Sequence, residues 1–107
     1  MVTVKKTGEG YYLATLEGGQ SVLKRVDCTR LKHALSDIIK SHREISISLS
    51  GFKSIEKEGY KILEEMKRNS DQKKCRIRFI NVDPQVSPAI NKLMEKKVQL
   101  QDELELN

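Results

Sequence analysis

The sequence predicts an α/β fold in which a mixed sheet of about four to five strands is flanked by about three to four helices. Apolar residues and serines alternate over residues 45–50, which is typical of a strand with one buried face. The apolar spacing then changes to a helical stripe over residues 59–68, and alternation returns over residues 76–80. Two strands joined through one helix form a parallel crossover, so the turn after the first strand lies at the carboxyl edge of the sheet.

The amino-terminal part of the chain predicts a β-hairpin. Residues 2–5 and 11–16 are candidate antiparallel strands joined by a turn that contains glycine. A second glycine-rich turn at residues 17–20 closes the hairpin. Residues 21–25 fit either a further short strand or a loop, and the local pattern leaves that choice open.

Two further helices are predicted, one on each side of the central crossover. The apolar spacing of Leu31, Ala34, Leu35, Ile38 and Ile39 predicts the first to about Ser41, with Asp27 or Thr29 as its N-cap. The second follows a turn, with Ser87 as its cap and Pro88 at its first position, where the missing N–H costs nothing.

Length and composition indicate one small domain. The chain has 107 residues, of which 33% are charged and 37% apolar. We expect a domain over residues 1–98 and a helical extension or tail over residues 99–107, whose Leu100 and Leu104 leave homodimerisation open. No apolar stretch approaches the roughly 18 residues that span a membrane, and the amino terminus lacks the apolar region of a secretion signal, so we expect a cytoplasmic protein without membrane insertion.

The net charge of +5 is unevenly distributed. Residues 1–82 carry 17 Lys and Arg against 10 Asp and Glu, whereas residues 83–107 carry three against five. A basic body favours an acidic partner surface or nucleic acid. The densest basic patch, residues 73–78, also fits the solvated face of an edge strand. No aromatic residue alternates with its Lys and Arg residues, which disfavours nucleic acid.

The sequence predicts no catalytic, cofactor or metal site, so we expect a protein that is not an enzyme. The glycines lack the phosphate-binding patterns, and His33 and His42 are nine residues apart rather than at the helical spacing of paired metal ligands. Cys75 falls on the buried phase of a strand and is predicted to be a core residue. Cys28 is predicted to be either a small residue near a helix start or a reactive thiol.

The order of the motifs carries a family resemblance. The strand at residues 45–50 is followed by Gly51-Phe52, by a Ser-Ile-Glu-Lys-Glu-Gly run at residues 54–59, by a helix, by a basic strand at residues 76–80 and by Asn-Val-Asp-Pro at residues 81–84. This order and spacing resemble the STAS domain of bacterial anti-sigma factor antagonists and sulfate transporter tails. The resemblance implies a STAS-like α/β fold and a role in signalling and regulation through protein binding.

The sequence departs from that family at the phosphorylation motif. Members that act as switches carry Asp, two hydroxyl residues and Gly, and one hydroxyl accepts phosphate from a kinase-type anti-sigma factor. Here Glu56, Lys57 and Glu58 occupy the first three places and only Gly59 is retained. The departure implies a protein that is not phosphorylated at the usual position. Glu58 is either an acidic first-turn residue that favours a helix start or an imitation of phosphoserine.

The resemblance implies a non-catalytic module that binds an anti-sigma factor or another regulatory or transport subunit. The alternatives are an accessory subunit of a transporter ATPase and a small basic nucleic-acid-binding domain. The candidate partner-binding residues are in the loop after the first crossover strand and at the start of the next helix: Phe52, Lys53, Ser54, Glu56, Lys57, Glu58, Gly59 and Tyr60. Phe52 and Tyr60 are either apolar anchors or helix-packing residues, and Lys53 and Lys57 steer association.

Overall fold

The computed structural model describes residues 1–17 and 20–95. The elements in chain order are β1 (Val2–Gly8), β2 (Tyr11–Leu16), β3 (Val22–Leu23), α1 (Arg25–Leu35), β4 (Glu44–Ser48), β5 (Ser54–Ile55), α2 (Lys57–Gln72) and β6 (Arg76–Ile80). A third helix, α3, begins at residue 87 and continues to residue 95, the last one described. No helix within these residues is both long and apolar enough to cross a membrane.

The main sheet has four strands in the order β1-β2-β4-β6. β1 and β2 form the predicted antiparallel hairpin, and β2, β4 and β6 are mutually parallel. The predicted α/β class and mixed sheet are therefore confirmed, as is the strand–helix–strand crossover through α2. A separate two-stranded parallel sheet joins β3 to β5, which answers the open question about residues 21–25 in favour of a short strand.

The four-stranded sheet has one apolar and one polar face. The apolar core face contains the even-numbered residues of β2 and the odd-numbered residues of β4 and β6, including Ala14, Ile45, Ile47 and Ile77, which are at most 1% exposed. Buried residues of all three helices belong to the same core cluster. The other face, here called the open face, contains the odd-numbered residues of β1 and β2 and the even-numbered residues of β4 and β6. Its side chains are mostly polar or charged.

Helix α1 differs from the prediction at both ends. It begins at Arg25 with Lys24 as the N-cap, so neither Asp27 nor Thr29 caps it. Asp27 is at the third helical position, and its carboxylate accepts a hydrogen bond from the Lys24 backbone N–H at 2.9 Å. The helix ends at Leu35 rather than near residue 40, because Ser36 donates both its N–H and its hydroxyl to the His33 carbonyl and tightens the last turn.

Helix α2 extends beyond both predicted ends. The apolar stripe predicts a helix over residues 59–68 only, yet the polar residues 69–72 are also helical. Ser70 is fully buried and its hydroxyl donates to the Lys67 carbonyl at 2.8 Å, while Lys67 Nζ is 2.6 Å from Asp71 Oδ1. These contacts satisfy the polar side chains within the helix, so the polar run does not end it.

Helix α2 ends in a Schellman motif. The Cys75 N–H donates to the Ser70 carbonyl at 2.8 Å and the Lys74 N–H donates to the Asp71 carbonyl at 3.1 Å. Lys74 has the left-handed φ of 58° that this motif requires. The motif turns the chain directly into β6 and buries Cys75, which confirms that residue as part of the core.

The carboxyl-terminal helix starts one residue earlier than predicted. Ser87 is its first helical residue, and the carbonyl of Asp83 accepts the N–H groups of Val86 and Ser87 at 2.9 Å each. Ile90 and Leu93 are buried in the core. The domain boundary at residue 98, the tail at residues 99–107 and the glycines of the turn at residues 18–19 lie outside the described residues.

The Schellman motif at the end of α2 predicts how a substitution at Lys74 changes the free energy of unfolding. A left-handed conformation costs a non-glycine residue about 1 kcal/mol. Lys74→Gly is therefore expected to raise the free energy of unfolding by about 0.5 kcal/mol, after the greater flexibility of glycine in the unfolded chain is subtracted. Lys73→Gly is the matched control: its φ of −92° is not left-handed, so it is expected to lower that free energy by about 0.5–1 kcal/mol. Urea denaturation measures both, and equal losses in the two variants would contradict the motif.

Candidate functional site

The candidate site is at the carboxyl edge of the three parallel strands. After β4 the chain turns through Gly51, whose φ is 90°, and the Phe52 N–H donates to the Leu49 carbonyl at 3.2 Å. Positive φ at this position favours glycine, because a Cβ would be strained there. The segment then crosses the edge of the sheet and enters α2.

This segment is tied to the start of α1 by backbone hydrogen bonds. The N–H groups of Lys53 and Ser54 donate to the Ser21 carbonyl at 2.6 and 3.2 Å, and the Glu56 N–H donates to the Leu23 carbonyl at 2.9 Å. Residues 53–56, which the sequence suggested to be a loop, are therefore largely fixed through the β3–β5 pair. Their side chains project from a supported backbone rather than from a free one.

Glu56 connects the starts of two helices. It is the N-cap of α2, where its carbonyl accepts the Tyr60 N–H at 2.9 Å. Its side-chain Oε1 accepts the N–H of Arg25, the first residue of α1, at 3.0 Å. That N–H has no partner within its own helix, and a carboxylate is favourable at the positive end of the helix dipole. Glu56 therefore has a structural role that sequence reasoning missed, since its partner is 31 residues away.

Gly59 is buried where α2 comes close to α1. A Cβ at this position would be 3.1 Å from Cys28 Sγ and 3.4 Å from the Leu23 carbonyl oxygen. Contacts this short are tighter than most Cβ contacts, so a side chain at residue 59 would require Cys28 or the nearby backbone to shift. The glycine at this position therefore has a packing reason within this fold.

The two candidate apolar anchors are both packed against the core. Phe52 is 4% exposed and belongs to the core cluster, and Tyr60 is half-buried against it. Of their two predicted roles, helix packing fits these positions. The exposed members of the predicted set are charged or hydroxylic: Lys53, Ser54, Glu56, Lys57 and Glu58.

A pocket of about 260 Å³ adjoins this segment and brings in residues that the sequence did not indicate. Its lining residues come from both ends of the first hairpin, the start of α1 and the turn after β4: Met1, Gln20, Lys24, Val26, Asp27, Arg30 and Phe52. Val26 is 49% exposed, although it is apolar. The available signal was its position away from the buried stripe of α1, which contains Cys28, Leu31 and Leu35.

The surface beside the pocket has exposed charges of both signs. Lys53 and Lys57 make no ion pair with any residue in the described part of the chain. Glu58 is exposed in the first turn of α2, where the helix dipole favours its carboxylate. The pocket residue Val26 adds an exposed apolar side chain to the surface around these charges.

The chemical groups near the site are mostly inert. Cys28 is inside α1 rather than before it and is fully buried. Burial raises the pKa of Cys28 from 9.0 to about 12, with further contributions from the carboxylates of Asp27 and Glu56. A high pKa works against thiolate chemistry. Among residues 1–17 and 20–95, no three His, Cys, Asp or Glu side chains are grouped to hold a metal ion.

The Cys28 pKa predicts how stability depends on pH. Above pH 9.0 the unfolded chain loses this thiol proton while the folded chain keeps it up to about 12, so stability is fully present below 9.0 and falls as the pH rises. The slope from this group is on the order of 1 kcal/mol per pH unit. Cys28→Ala is expected to show a flatter decline of unfolding free energy than the natural chain. Parallel declines in urea titrations of the two proteins would contradict the assignment.

Comparison with known proteins supports the fold. No protein-family model matches the sequence, and no curated protein matches it. A solved structure described as "Crystal Structure Analysis of Mglu" superposes on 77% of this chain with a TM-score of 0.64 and 18% sequence identity. The match covers 20% of that chain, so the present chain spans about a fifth of that protein's length. At this identity the similarity shows the fold alone, an α/β arrangement that also occurs as part of a longer chain.

Proposed function

We propose that this chain is a non-catalytic regulatory module of the STAS type, which binds a protein partner through the exposed segment 53–58 and the adjacent pocket. The supporting observation is the junction at Glu56, where a short parallel strand pair and a carboxylate bond hold this segment against α1. A preformed binding segment loses less conformational entropy on association than a free loop does.

The charges of the segment suggest how a partner is attracted and then held. Lys53 and Lys57 raise the rate of encounter with an acidic surface, an effect that weakens as salt increases. Phe52 and Tyr60 pack against the core. The apolar side chains available to contact a partner are therefore those of Val26 and Met1, which are 49% and 73% exposed. A partner that combines acidic residues with one apolar side chain matches this surface.

The proposed binding is insensitive to serine phosphorylation at the usual position. Lys57 and Glu58 are the first two residues of α2, and neither side chain has a hydroxyl to accept phosphate. The family resemblance favours a kinase-type anti-sigma factor as the partner, with a transporter ATPase subunit as the alternative. Both are proteins, and the same segment would bind either of them.

Charge reversal tests the proposed surface. Lys53→Glu together with Lys57→Glu is expected to weaken binding to a kinase-type anti-sigma factor of the same genome at least about tenfold at low salt, mainly through a slower association rate. Lys40→Glu with Lys92→Glu is the control, because it makes the same change in net charge at two exposed lysines outside the segment. Surface plasmon resonance measures both rates. Equal weakening in the two double variants would show that overall charge, not this segment, determines binding.

Phosphorylation is tested with the same partner. Incubation with the kinase and ATP is expected to leave residues 55–60 unmodified, because the usual acceptor places hold Lys57 and Glu58. Mass spectrometry of the digested protein measures this directly. A STAS protein that carries the usual hydroxyl pair serves as the positive control for kinase activity. Phosphate on Ser54 would overturn the prediction and indicate a shifted acceptor.

A further inference from the structure

The open face of the four-stranded sheet is a second candidate surface, separate from the proposed one. The buried residues of the described helices belong to the core cluster on the opposite side of the sheet. On the open face, Thr3, Lys5, Tyr11, Arg76 and Arg78 are exposed, whereas Ser48 is buried. Lys53 and Lys57 are near the carboxyl ends of the parallel strands, whereas the exposed Tyr11 and Arg76 are at the amino ends of β2 and β6.

The strand register brings an aromatic ring and arginines together on this face. Tyr11 pairs with Glu44 on β4, and Glu44 pairs with Arg76 on β6, so Tyr11 and Arg76 are two strands apart, about 10 Å at the usual strand spacing. Tyr11 is 54% exposed, and its Cδ2 is 3.5 Å from where a Cβ would be on Gly8. The ring therefore covers a glycine of β1 and keeps much of its surface in solvent.

The charge on the open face is positive. Lys5 on β1 and Arg76 and Arg78 on β6 share the face with one carboxylate, that of Glu44. Arg78 Nε donates to Ser46 Oγ at 3.1 Å and is 3.9 Å from Glu44 Oε1, so Arg78 and Glu44 form a weak, partly exposed ion pair. Lys5 and Arg76 have no carboxylate partner among residues 1–17 and 20–95.

The exposed lysines of the preceding turn extend this positive region. Lys73 and Lys74 directly precede β6, and the Lys74 carbonyl accepts the His42 N–H at 3.2 Å. That bond holds the turn beside the chain entering β4. Lys73 and Lys74 therefore add positive charge at the amino-terminal edge of the parallel strands, where Tyr11 and Arg76 also lie.

We infer that the open face binds single-stranded nucleic acid without sequence preference, with Tyr11 stacked on a base and Lys5 and Arg76 in contact with phosphates. Stacking on an aromatic ring flanked by cations is how proteins hold single strands. The sequence alone argues against this function, because no aromatic residue is interleaved with the Lys and Arg residues of the basic run at residues 73–78. The register removes that objection, since it brings Tyr11 onto the face that contains Arg76. An acidic protein surface would form ion pairs with Lys5 and Arg76 but would not require stacking on the Tyr11 ring.

Substitution of Glu44 is expected to tighten binding, an effect that misfolding of the variant could not produce. Glu44→Gln removes the one carboxylate of this face and is expected to tighten binding of a fluorescent oligothymidylate of about 12 nucleotides roughly threefold. Tyr11→Ala is expected to weaken it about tenfold, and Tyr11→Phe to retain it. Arg76→Ala is expected to weaken oligonucleotide binding and to reduce the slope of log Kd against log salt concentration by about one. Fluorescence anisotropy measures the Kd over about 50–200 mM salt.

Two kinds of control distinguish binding at the open face from binding at segment 53–58 and from nonspecific electrostatic attraction to any polyanion. The variant with Lys53→Glu and Lys57→Glu is expected to bind the oligonucleotide within about threefold of the natural chain, since those residues are outside the open face. Polyglutamate and a DNA duplex of matched charge are expected to compete weakly. The inference is overturned if the natural chain does not bind, if Tyr11→Ala binds as well as Tyr11→Phe, or if polyglutamate or the duplex competes as well as the single strand. Thermal unfolding verifies that each variant is folded.

Discussion

The close contact between the starts of α1 and α2 is the constraint on which the rest of the structure depends. Gly59 has no side chain to hold the helices apart at Cys28, and three backbone hydrogen bonds join residues 53–56 to residues 21–23. This contact positions the charged start of α2 beside the start of α1. A larger residue at position 59 would require the packing around Cys28 to shift and would disturb the geometry that the proposed partner surface needs.

The long elements of this fold are readable from the sequence because their signals are local. The alternation in β4 and β6 and the stripe of α2 each repeat several times, and one buried face is enough to produce them. The pair formed by β3 and β5 is different, because two residues cannot display a period. The predicted carboxyl end of α2 was wrong for a related reason. The polar residues after residue 68 interrupt the apolar stripe, but the Ser70 hydroxyl is hydrogen-bonded within the helix, which therefore continues.

The candidate site is less readable from the sequence than the fold. Its chain location was predictable from the crossover, since the carboxyl edge of a parallel sheet follows from topology. The role of Glu56 was not, because the N–H that its carboxylate accepts belongs to Arg25 in another helix. The burial of Phe52 depends on how the turn after β4 packs against the rest of the chain, which no local pattern encodes, whereas the exposure of Val26 follows from its position off the buried stripe of α1.

Within residues 1–17 and 20–95, the sheet order leaves β1 and β6 as edge strands, and the buried helical residues pack on one face of the sheet only. Exposed strand edges and bare faces invite copies of a protein to aggregate. Here Lys5, Arg76 and Arg78 act as gatekeepers, because two copies brought edge to edge or face to face would set like charges against one another. If these cations were replaced with apolar residues, the new side chains would form a continuous exposed apolar surface with Leu13 and Ile80. The same charges that we infer to bind a polyanion would therefore also disfavour self-association.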